Sequence, residues 1–213
     1  MYFSIEGVIG VGKTSLARLL QPCFNASLML EVFEENPFLS DFYIDRERYA
    51  FQTQIFFLLS RYHQQRKSIS ELLAGEKIVI SDYTFEKDSL FARINLKGDE
   101  LEMYYRVHEA LGEKITHPDL MVYLRAETNT LMNRISLRDR SYERNMELNY
   151  IDDLKRAYDD FFINSPPPAS PVLVIDADQI DFVHNPEDLK EIENRIRRSM
   201  QVPPFQPELP ISG

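Results

Sequence analysis

A glycine-rich segment near the start of the chain predicts phosphate chemistry. Residues Gly7-Val8-Ile9-Gly10-Val11-Gly12-Lys13-Thr14 complete the pattern G-x-x-x-x-G-K-[ST], between an apolar run and an amphipathic stretch. Strand, loop and helix is the context that this motif requires, and its backbone N–H groups would surround a nucleotide's phosphates. Lys13 would reach the β- and γ-phosphates, while the Thr14 hydroxyl would bind Mg²⁺. The predicted nucleotide-binding set of this loop is Gly7, Gly10, Val11, Gly12, Lys13, Thr14 and Ser15.

The alternative for this segment is an ordinary glycine-rich turn that carries a surface lysine. The chain has only seven glycines, and three of them lie within the six residues 7–12. Four fixed positions and the correct flanking patterns therefore favour the phosphate-binding loop.

Acidic residues follow two further predicted strands. Asp82 comes directly after a strongly apolar run, and Glu31, Glu34 and Glu35 follow another. Ligands of open parallel sheets bind beyond the carboxyl ends of the strands, so these carboxylates should lie near the phosphates. We predict that Asp82, with Thr14, holds Mg²⁺ directly or through water, and the alternative is that Asp82 caps a helix. Composition alone does not select among the three glutamates, which would also suit a helix N-terminus.

Three arginines within seven residues form a basic cluster in an otherwise acidic chain. They are Arg134, Arg138 and Arg140, and the first two share one face of a predicted helix. Planar guanidinium groups bind phosphate oxygens through paired hydrogen bonds, which suits a lid over a triphosphate. We predict that Arg134 and Arg138 bind the nucleotide, and that Lys13, Arg138 and Arg140 act in catalysis by neutralising the moving phosphoryl group. The alternative is a solvated helix end, where cations are favoured anyway.

The composition limits the partners that this chain could have. Its 213 residues suffice for one domain with a large core, and its net charge of −10 argues against long nucleic acids. The single Cys23 excludes an internal disulfide and fits a reducing compartment. No basic signal-peptide region and no apolar stretch near the roughly 18 residues of a membrane helix are visible. We therefore expect a soluble cytoplasmic protein without membrane or nucleic-acid partners.

Five apolar runs separated by helical patterns predict an α/β fold. Strands that alternate with helices form a parallel sheet with helices on both faces. Residues 1–200 are expected to form a single domain, followed by a tail at 201–213 that contains four prolines. The predicted strands are Tyr2–Glu6, Leu28–Phe33, Lys77–Ser81, Leu120–Leu124 and Val172–Asp176, and the main helices are 46–74, 99–111, 128–137, 150–163 and 186–200.

Taken in order, the motifs resemble those of the deoxynucleoside kinases. The match runs from residue 1 to about residue 200. The resemblance implies the P-loop kinase fold with an arginine-rich lid, ATP and Mg²⁺ as cofactors, and phosphoryl transfer to the 5′-hydroxyl of a deoxynucleoside. The matching segments, besides the glycine-rich loop, are Glu31-Val32-Phe33-Glu34-Glu35-Asn36-Pro37-Phe38-Leu39, Phe42-Tyr43, Phe51-Gln52-Thr53-Gln54, Asp82-Tyr83-Thr84 and Arg134-x-x-x-Arg138-x-Arg140-x-x-Glu143.

The same resemblance assigns roles to residues of the acceptor site. Glu31 matches the general base that takes the proton of the 5′-hydroxyl, a task that suits a carboxylate near the γ-phosphate. Tyr43 and Glu143 match the pair that hydrogen-bonds the sugar 3′-hydroxyl. Gln54 matches the amide that recognises the edge of the base, since an amide both donates and accepts.

Further acceptor-site candidates lie on the base side of the predicted pocket. Arg61 follows Gln54 by seven residues on one helix, and Asp88 is its candidate partner, so both join Asp82 among the predicted substrate-binding residues. A polar stripe on a half-buried helix is the alternative for Gln54 and Arg61.

One position departs from the pattern of most relatives. Most members of the resembling family carry an arginine after the strand-three acidic residue, where it contacts the base glutamate and the reacting phosphate. This chain has Tyr83 there, so the sequence leaves open what balances the charge of Glu31. Asp-Tyr at this place resembles a bacterial deoxyguanosine-kinase-like branch, and we therefore favour a purine deoxynucleoside as substrate.

Two other functions remain candidates at this point. A nucleoside monophosphate kinase of the thymidylate kinase type shares the loop and the lid, but it needs an arginine where this chain has Tyr83. A non-catalytic nucleotide-binding subunit would not require Glu31, Asp82 and the lid arginines together.

The helices at 46–74 and 99–111 carry more apolar surface than one sheet face needs, and the resemblance implies a homodimer through helices of this kind.

Overall fold

The computed structural model describes residues 1–33, 35–75, 78–165 and 170–203. Five short strands alternate with eight α-helices along these described ranges. The strands are β1 (Tyr2–Glu6), β2 (Ser27–Met29), β3 (Val79–Ser81), β4 (Leu120–Arg125) and β5 (Val172–Asp176). The helices are α1 (Lys13–Phe24), α2 (Leu39–Ile44), α3 (Arg46–Ala74), α4 (Lys87–Asn95), α5 (Gly98–Gly112), α6 (Thr128–Arg138), α7 (Leu148–Asp159) and α8 (Pro186–Met200), with a 3₁₀ turn at Ser141–Glu143 and a π-helical turn at Asp160–Asn164.

The sheet is parallel throughout and has the order β2-β3-β1-β4-β5. Strand β1 lies in the centre, with Tyr2 opposite Val79 of β3 and Phe3 opposite Leu120 of β4. Every residue of β1 is buried, as expected for a strand covered on both faces by helices. The five-stranded parallel α/β sheet predicted from the sequence is therefore confirmed.

The second strand is shorter than predicted. We expected Leu28–Phe33, but β2 ends at Met29 because the next residues bond to side chains instead of a neighbouring strand. Gln64 Nε2 donates to the Leu30 carbonyl at 2.8 Å, and the Glu31 N–H donates to Asp82 Oδ1 at 2.8 Å. This departure from the sheet turns Glu31 towards the cleft at the carboxyl ends of the strands.

The long helices follow the predicted pattern closely. Helix α3 spans the predicted residues 46–74. Asp45 is its N-cap, and the Asp45 side chain accepts a hydrogen bond from the Arg48 N–H. Helix α8 also begins as predicted, with Asn185 capping the Glu187 N–H. The predicted helix 150–163 is divided between α7 and the π-helical turn, and helix α4 was not predicted.

A few predictions fall partly outside the described residues. Lys77, the first residue of the predicted third strand, is one of them, and so is Glu34. The tail from residue 204 onwards also lies outside them. Within the described ranges, no helix combines the length and the apolarity needed to cross a bilayer.

Helix α8 is fixed to α1 by a buried arginine. Arg197 Nε donates to Glu193 Oε1 at 2.7 Å, and the guanidinium lies 4.4 Å from the Phe24 ring centroid. A second nitrogen of Arg197 donates to the Cys23 carbonyl, and the third donates to the Pro203 carbonyl at 2.6 Å. One side chain thus joins α1, α8 and the residues that follow α8. We call this set the Arg197 clasp.

Candidate active site

The glycine-rich loop connects β1 to α1 in a conformation that needs glycine. Gly7 has φ +148° and Gly10 has φ +86°, in the region that other residues rarely adopt. A Cβ at Gly7 would lie 2.4 Å from the Leu124 carbonyl oxygen, and one at Gly10 would lie 2.8 Å from Ile135 Cγ1. The loop is therefore packed against β4 and α6, which fixes its shape before any ligand binds.

Lys13 is the first residue of α1 and lies across this loop. Its Nζ donates to the Gly7 carbonyl at 2.7 Å and to the Val8 carbonyl at 3.2 Å. Burial lowers the pKa of Lys13 to about 8, and the nearby charge of Lys87 contributes to the same shift. An ammonium held among loop carbonyls beside a helix N-terminus suits an anionic ligand.

Glu6, the last residue of β1, joins the loop to the residues that follow β3. Its carboxylate accepts from the Gly7 N–H at 3.2 Å and from the Thr84 hydroxyl at 3.0 Å. Burial raises the pKa of Glu6. Our sequence analysis did not single out this residue, because a lone glutamate at the end of a strand carries no motif.

Thr14 and Asp82 form the hydroxyl–carboxylate pair expected for a divalent cation. The Thr14 hydroxyl donates to Asp82 Oδ2, while Asp82 Oδ1 accepts from the Glu31 N–H. Asp82 is thus bound to the start of α1 and does not cap a helix. Mg²⁺ usually takes one or two carboxylates and completes its shell with phosphate oxygens and water. No group of three or more acidic, histidine or cysteine residues within the described ranges could hold a metal, so this pair fits an ion that arrives with a nucleotide.

Glu31 lies in the pocket between two cations. Lys87 Nζ donates to Glu31 Oε2 at 2.6 Å, and Arg61 Nε donates to Glu31 Oε1 at 3.0 Å. Burial by itself would raise the pKa of this carboxyl, but Arg61 and Lys87 reverse that effect and hold the pKa well below its usual range. Glu31 is therefore ionised at every physiological pH.

Arg61 is divided between two carboxylates. Besides Glu31, its guanidinium forms an ion pair with the fully buried Asp88, and it lies 4.5 Å from the Phe57 ring centroid. Because Glu31 stabilises its charge, the pKa of Arg61 is raised in spite of burial. The predicted base-side residues Arg61 and Asp88 are therefore neighbours, and Arg61 also connects them to Glu31.

Lys87 is the pocket residue that sequence analysis missed most clearly. It begins α4, is 6% exposed, and lines the same pocket as Glu31 and Lys13. The neighbouring Tyr83, whose ring is fully buried, donates its hydroxyl to Gln64 Oε1 at 2.7 Å. The sequence pointed to Lys87 only indirectly: Tyr83 replaces the arginine expected beside Glu31, so another cation had to balance that carboxylate.

Two of the three predicted lid arginines, Arg138 and Arg140, contact Glu143. Arg138 donates to both carboxylate oxygens of Glu143, at 2.8 and 2.7 Å, and Arg140 approaches the same carboxylate at 3.6 Å. The Arg140 guanidinium also lies 4.0 Å from the Phe33 ring centroid. Arg138, Arg140 and Glu143 all line the pocket that contains Glu31.

Aromatic rings also line this pocket. The Tyr43 and Tyr142 rings stack with centroids 5.9 Å apart. Burial raises the pKa of Tyr43 well above its ordinary value, so its hydroxyl keeps its proton and can donate. The buried Gln54 lines the same pocket from α3. The structure therefore brings the predicted acceptor-site residues Glu31, Tyr43, Gln54 and Glu143 together.

A second cleft adjoins this pocket along the glycine-rich loop. It is lined by that loop, by α6 and by residues 177–184, which follow β5. Arg134 joins these parts, because it donates to the Val11 carbonyl at 3.1 Å and to the Ala177 carbonyl at 2.9 Å. A Cβ at Gly12 would lie 3.1 Å from the Phe182 ring. Sequence analysis did not identify Phe182, since the segment after β5 has no recognisable motif.

Comparison with known proteins agrees with this arrangement. The family model for deoxynucleoside kinase matches residues 3–201. The deoxyguanosine kinase of Bacillus subtilis (strain 168) is 33% identical over 198 residues, covering 92% of this chain and 96% of that protein. The deoxyadenosine/deoxycytidine kinase of the same organism is 30% identical over 200 residues, covering 91% of this chain and 90% of that protein.

Solved structures show the same fold. The deoxyadenosine kinase from M. mycoides with bound dATP superposes with a TM-score of 0.79 at 25% identity, covering 92% of this chain and 99% of that one. A glycine-rich loop between β1 and α1 of a five-stranded parallel sheet defines the P-loop α/β kinase fold. The chain belongs to the deoxynucleoside kinase family. It is accordingly a phosphotransferase enzyme, and a thymidylate kinase or a non-catalytic subunit is not favoured.

Proposed function

We propose that this enzyme transfers the γ-phosphoryl group of ATP to the 5′-hydroxyl of a purine deoxynucleoside, deoxyguanosine or deoxyadenosine. The observation that carries the proposal is that the ionised Glu31 faces the same pocket as Lys13 and Thr14. The purine preference is supported by the similarity to a deoxyguanosine kinase and by Tyr83 after Asp82.

The proposed reaction uses Glu31 as the proton acceptor. Glu31 takes the proton of the 5′-hydroxyl while the sugar oxygen forms a bond to the γ-phosphorus. The bond from that phosphorus to the β–γ bridging oxygen breaks, and its electron pair leaves with ADP. In a loose transition state the hydroxyl loses its proton late, so a carboxylate with a lowered pKa is adequate for this task.

Cationic groups surround the phosphates in this proposal. Lys13 and the loop N–H groups bind the β- and γ-phosphates, and Arg138 and Arg140 approach the moving group from the lid. Arg134 acts on the nucleotide side through its contacts with the loop backbone. Thr14 and Asp82 would hold Mg²⁺, which would supply positive charge to the phosphate oxygens when bound.

The acceptor is held at its sugar and at its base. Tyr43 and Glu143 bind the 3′-hydroxyl, and Gln54 recognises the edge of the base. Arg61 binds the base from the α3 side. Asp88 was predicted to bind substrate, but it is fully buried and does not line this pocket, so it acts by holding Arg61. The side chains of Tyr43, Gln54, Arg61 and Glu143 line the pocket around Glu31, which supports these assignments.

We further propose that residues 1–200 act as one kinase domain and that two copies associate through α3 and α5. The match of the family over residues 3–201 supports the domain boundaries. Leu59 of α3 and Met103 and Tyr105 of α5 are exposed apolar residues, which supports an interface there. A cytoplasmic location is consistent with the single free Cys23. Sedimentation at several concentrations measures the assembly directly.

The decisive experiment is a substrate panel with the purified enzyme. ATP, Mg²⁺ and one of the four deoxynucleosides are mixed, and ADP formation is followed. We expect kcat/KM for the better purine to exceed that for either pyrimidine by at least about tenfold, since a mismatched base leaves buried polar groups unpaired. Deoxyguanosine monophosphate serves as a control acceptor and should not react. A pyrimidine that reacts faster contradicts the purine assignment, and a monophosphate that reacts contradicts the choice of acceptor.

A further inference from the structure

We propose that Lys87 is the positioning residue of the general base, holding the Glu31 carboxylate towards the acceptor hydroxyl. This inference rests on the proposed function, in which Glu31 receives the proton. It explains how a chain with Tyr83 after its strand-three aspartate keeps a charge partner beside that glutamate.

The ammonium of Lys87 has Glu31 as its partner. Lys87 Nζ lies 2.6 Å from Glu31 Oε2, and among the described residues no other carboxylate lies within ion-pair distance of it. A buried ammonium is costly unless it is paired. Lys87 is therefore paired with Glu31 and holds Oε2 of that carboxylate.

Arg61 holds Glu31 less exclusively. Its guanidinium also pairs with the buried Asp88, on the side of the pocket assigned to the base. It contacts Oε1 of Glu31 and leaves Oε2 to Lys87. The two cations therefore have separate tasks. Arg61 connects Glu31 to the base side of the pocket, whereas Glu31 is the carboxylate that Lys87 holds.

Tyr83 cannot supply this charge. Its hydroxyl donates to Gln64, and burial raises its pKa far above the neutral range. Lys87 reaches the carboxylate from α4 instead, four residues further along the chain. Its charge also acts on Lys13, whose pKa it lowers, so Lys87 faces the space between the glycine-rich loop and Glu31.

The test compares Lys87→Met with Lys87→Arg in the intact enzyme. For Lys87→Met we expect kcat to fall about 10²-fold, as for a misplaced catalytic group, with the KM for deoxynucleoside within about threefold of wild type. Lys87→Arg should restore most of kcat, because it returns a cation to the same carboxylate.

Controls separate this role from a merely structural one. Lys67→Met removes an exposed lysine of α3 and should change neither kcat nor KM. Lys87→Gln tests the same loss of charge if the methionine variant does not fold, as judged by ADP binding. Full activity of the neutral variants, a loss of kcat that arginine does not rescue, or a loss that appears in KM instead of kcat overturns the inference. A wild-type enzyme that phosphorylates no deoxynucleoside overturns the proposed function instead.

Discussion

Single residues in the pocket are held by charges of opposite sign. Glu31 pairs with Arg61 and Lys87, and Glu143 pairs with Arg138 and Arg140. Each carboxylate is therefore oriented before substrate arrives, which lowers the cost of arranging it in the transition state. The sugar hydroxyls of a substrate join groups that already have partners.

Removal of the Glu31 carboxylate should abolish most of the turnover. We expect Glu31→Ala to lose at least about 10² in kcat, because proton transfer to a positioned group contributes that much or more. The exposed Glu35 provides a matched control, and Glu35→Ala should keep the wild-type rate. Steady-state assays with the preferred deoxynucleoside measure both variants. A Glu31→Ala enzyme with wild-type kcat would show that another group accepts the proton.

The Tyr43 hydroxyl should contribute to recognition of the sugar. In wild type, a 2′,3′-dideoxynucleoside should react poorly, because it leaves the donors and acceptors of the pocket unpaired. Tyr43→Phe should reduce this discrimination about tenfold, the worth of a good hydrogen bond. The ratio of kcat/KM for the two sugars is measured in both enzymes. An unchanged ratio would place the 3′-hydroxyl elsewhere.

At the level of elements, the glycine-rich loop shows how packing fixes a binding site. Gly7 contacts β4 and Gly10 contacts α6 so closely that no side chain fits at either position. The motif predicted this loop and the helix after it, because four constrained positions coincide. It did not predict the end of β2, since side chains of Gln64 and Asp82 satisfy that backbone and the pairing is invisible along the chain.

A substitution at Gly10 should disturb the loop more than a substitution at another glycine with positive φ. Gly98 has φ +54° and open space around it, so Gly98→Ala carries mainly the backbone cost of about 1 kcal/mol. Gly10→Ala adds a collision with Ile135 and should weaken ADP binding at least about tenfold. Calorimetric titration with ADP compares the two variants. Equal ADP affinities of the two variants would mean that α6 moves away from the added methyl group without a measurable cost.

Long helices were predicted well and the short helix α4 was not, for a physical reason. Helix α3 has 29 residues, so its apolar positions recur over many turns although it also buries Gln54 and Arg61. Helix α4 has nine residues, and two of its four buried residues are Lys87 and Asp88. A pattern that relies on buried apolar residues fails in a helix so short when half of the buried residues are charged. For the same reason Lys87 escaped notice, because only a partner 56 residues away makes its burial favourable.

The whole molecule combines an acidic surface with a cationic interior cleft. The net charge is −10, yet among the described residues one pocket has five cationic side chains and only three carboxylates in its lining. The cations are Lys13, Arg61, Lys87, Arg138 and Arg140, and the carboxylates are Glu31, Asp82 and Glu143. Such concentration of positive charge attracts a small polyanion without attracting nucleic-acid polymers. The cleft lies at the carboxyl ends of the strands, as expected for parallel sheets.

The Arg197 clasp should contribute strongly to global stability. Arg197→Ala removes a buried cation and leaves the Cys23 and Pro203 carbonyls without that donor, so we expect a loss of about 3 kcal/mol. Arg198→Ala alters the exposed neighbour and should cost less than about 0.5 kcal/mol. Urea unfolding gives both values. A small effect of Arg197→Ala would show that α8 docks through its apolar face alone.

The burial of Lys13 near the charge of Lys87 also makes nucleotide binding depend on pH. With a pKa of about 8, Lys13 carries its proton only part of the time in mildly alkaline solution. A phosphate beside it raises that pKa, so complex formation withdraws a fraction of a proton from the medium. The heat of nucleotide binding should then vary with the ionisation enthalpy of the buffer, and affinity should decline as the solution is made more alkaline than about pH 8.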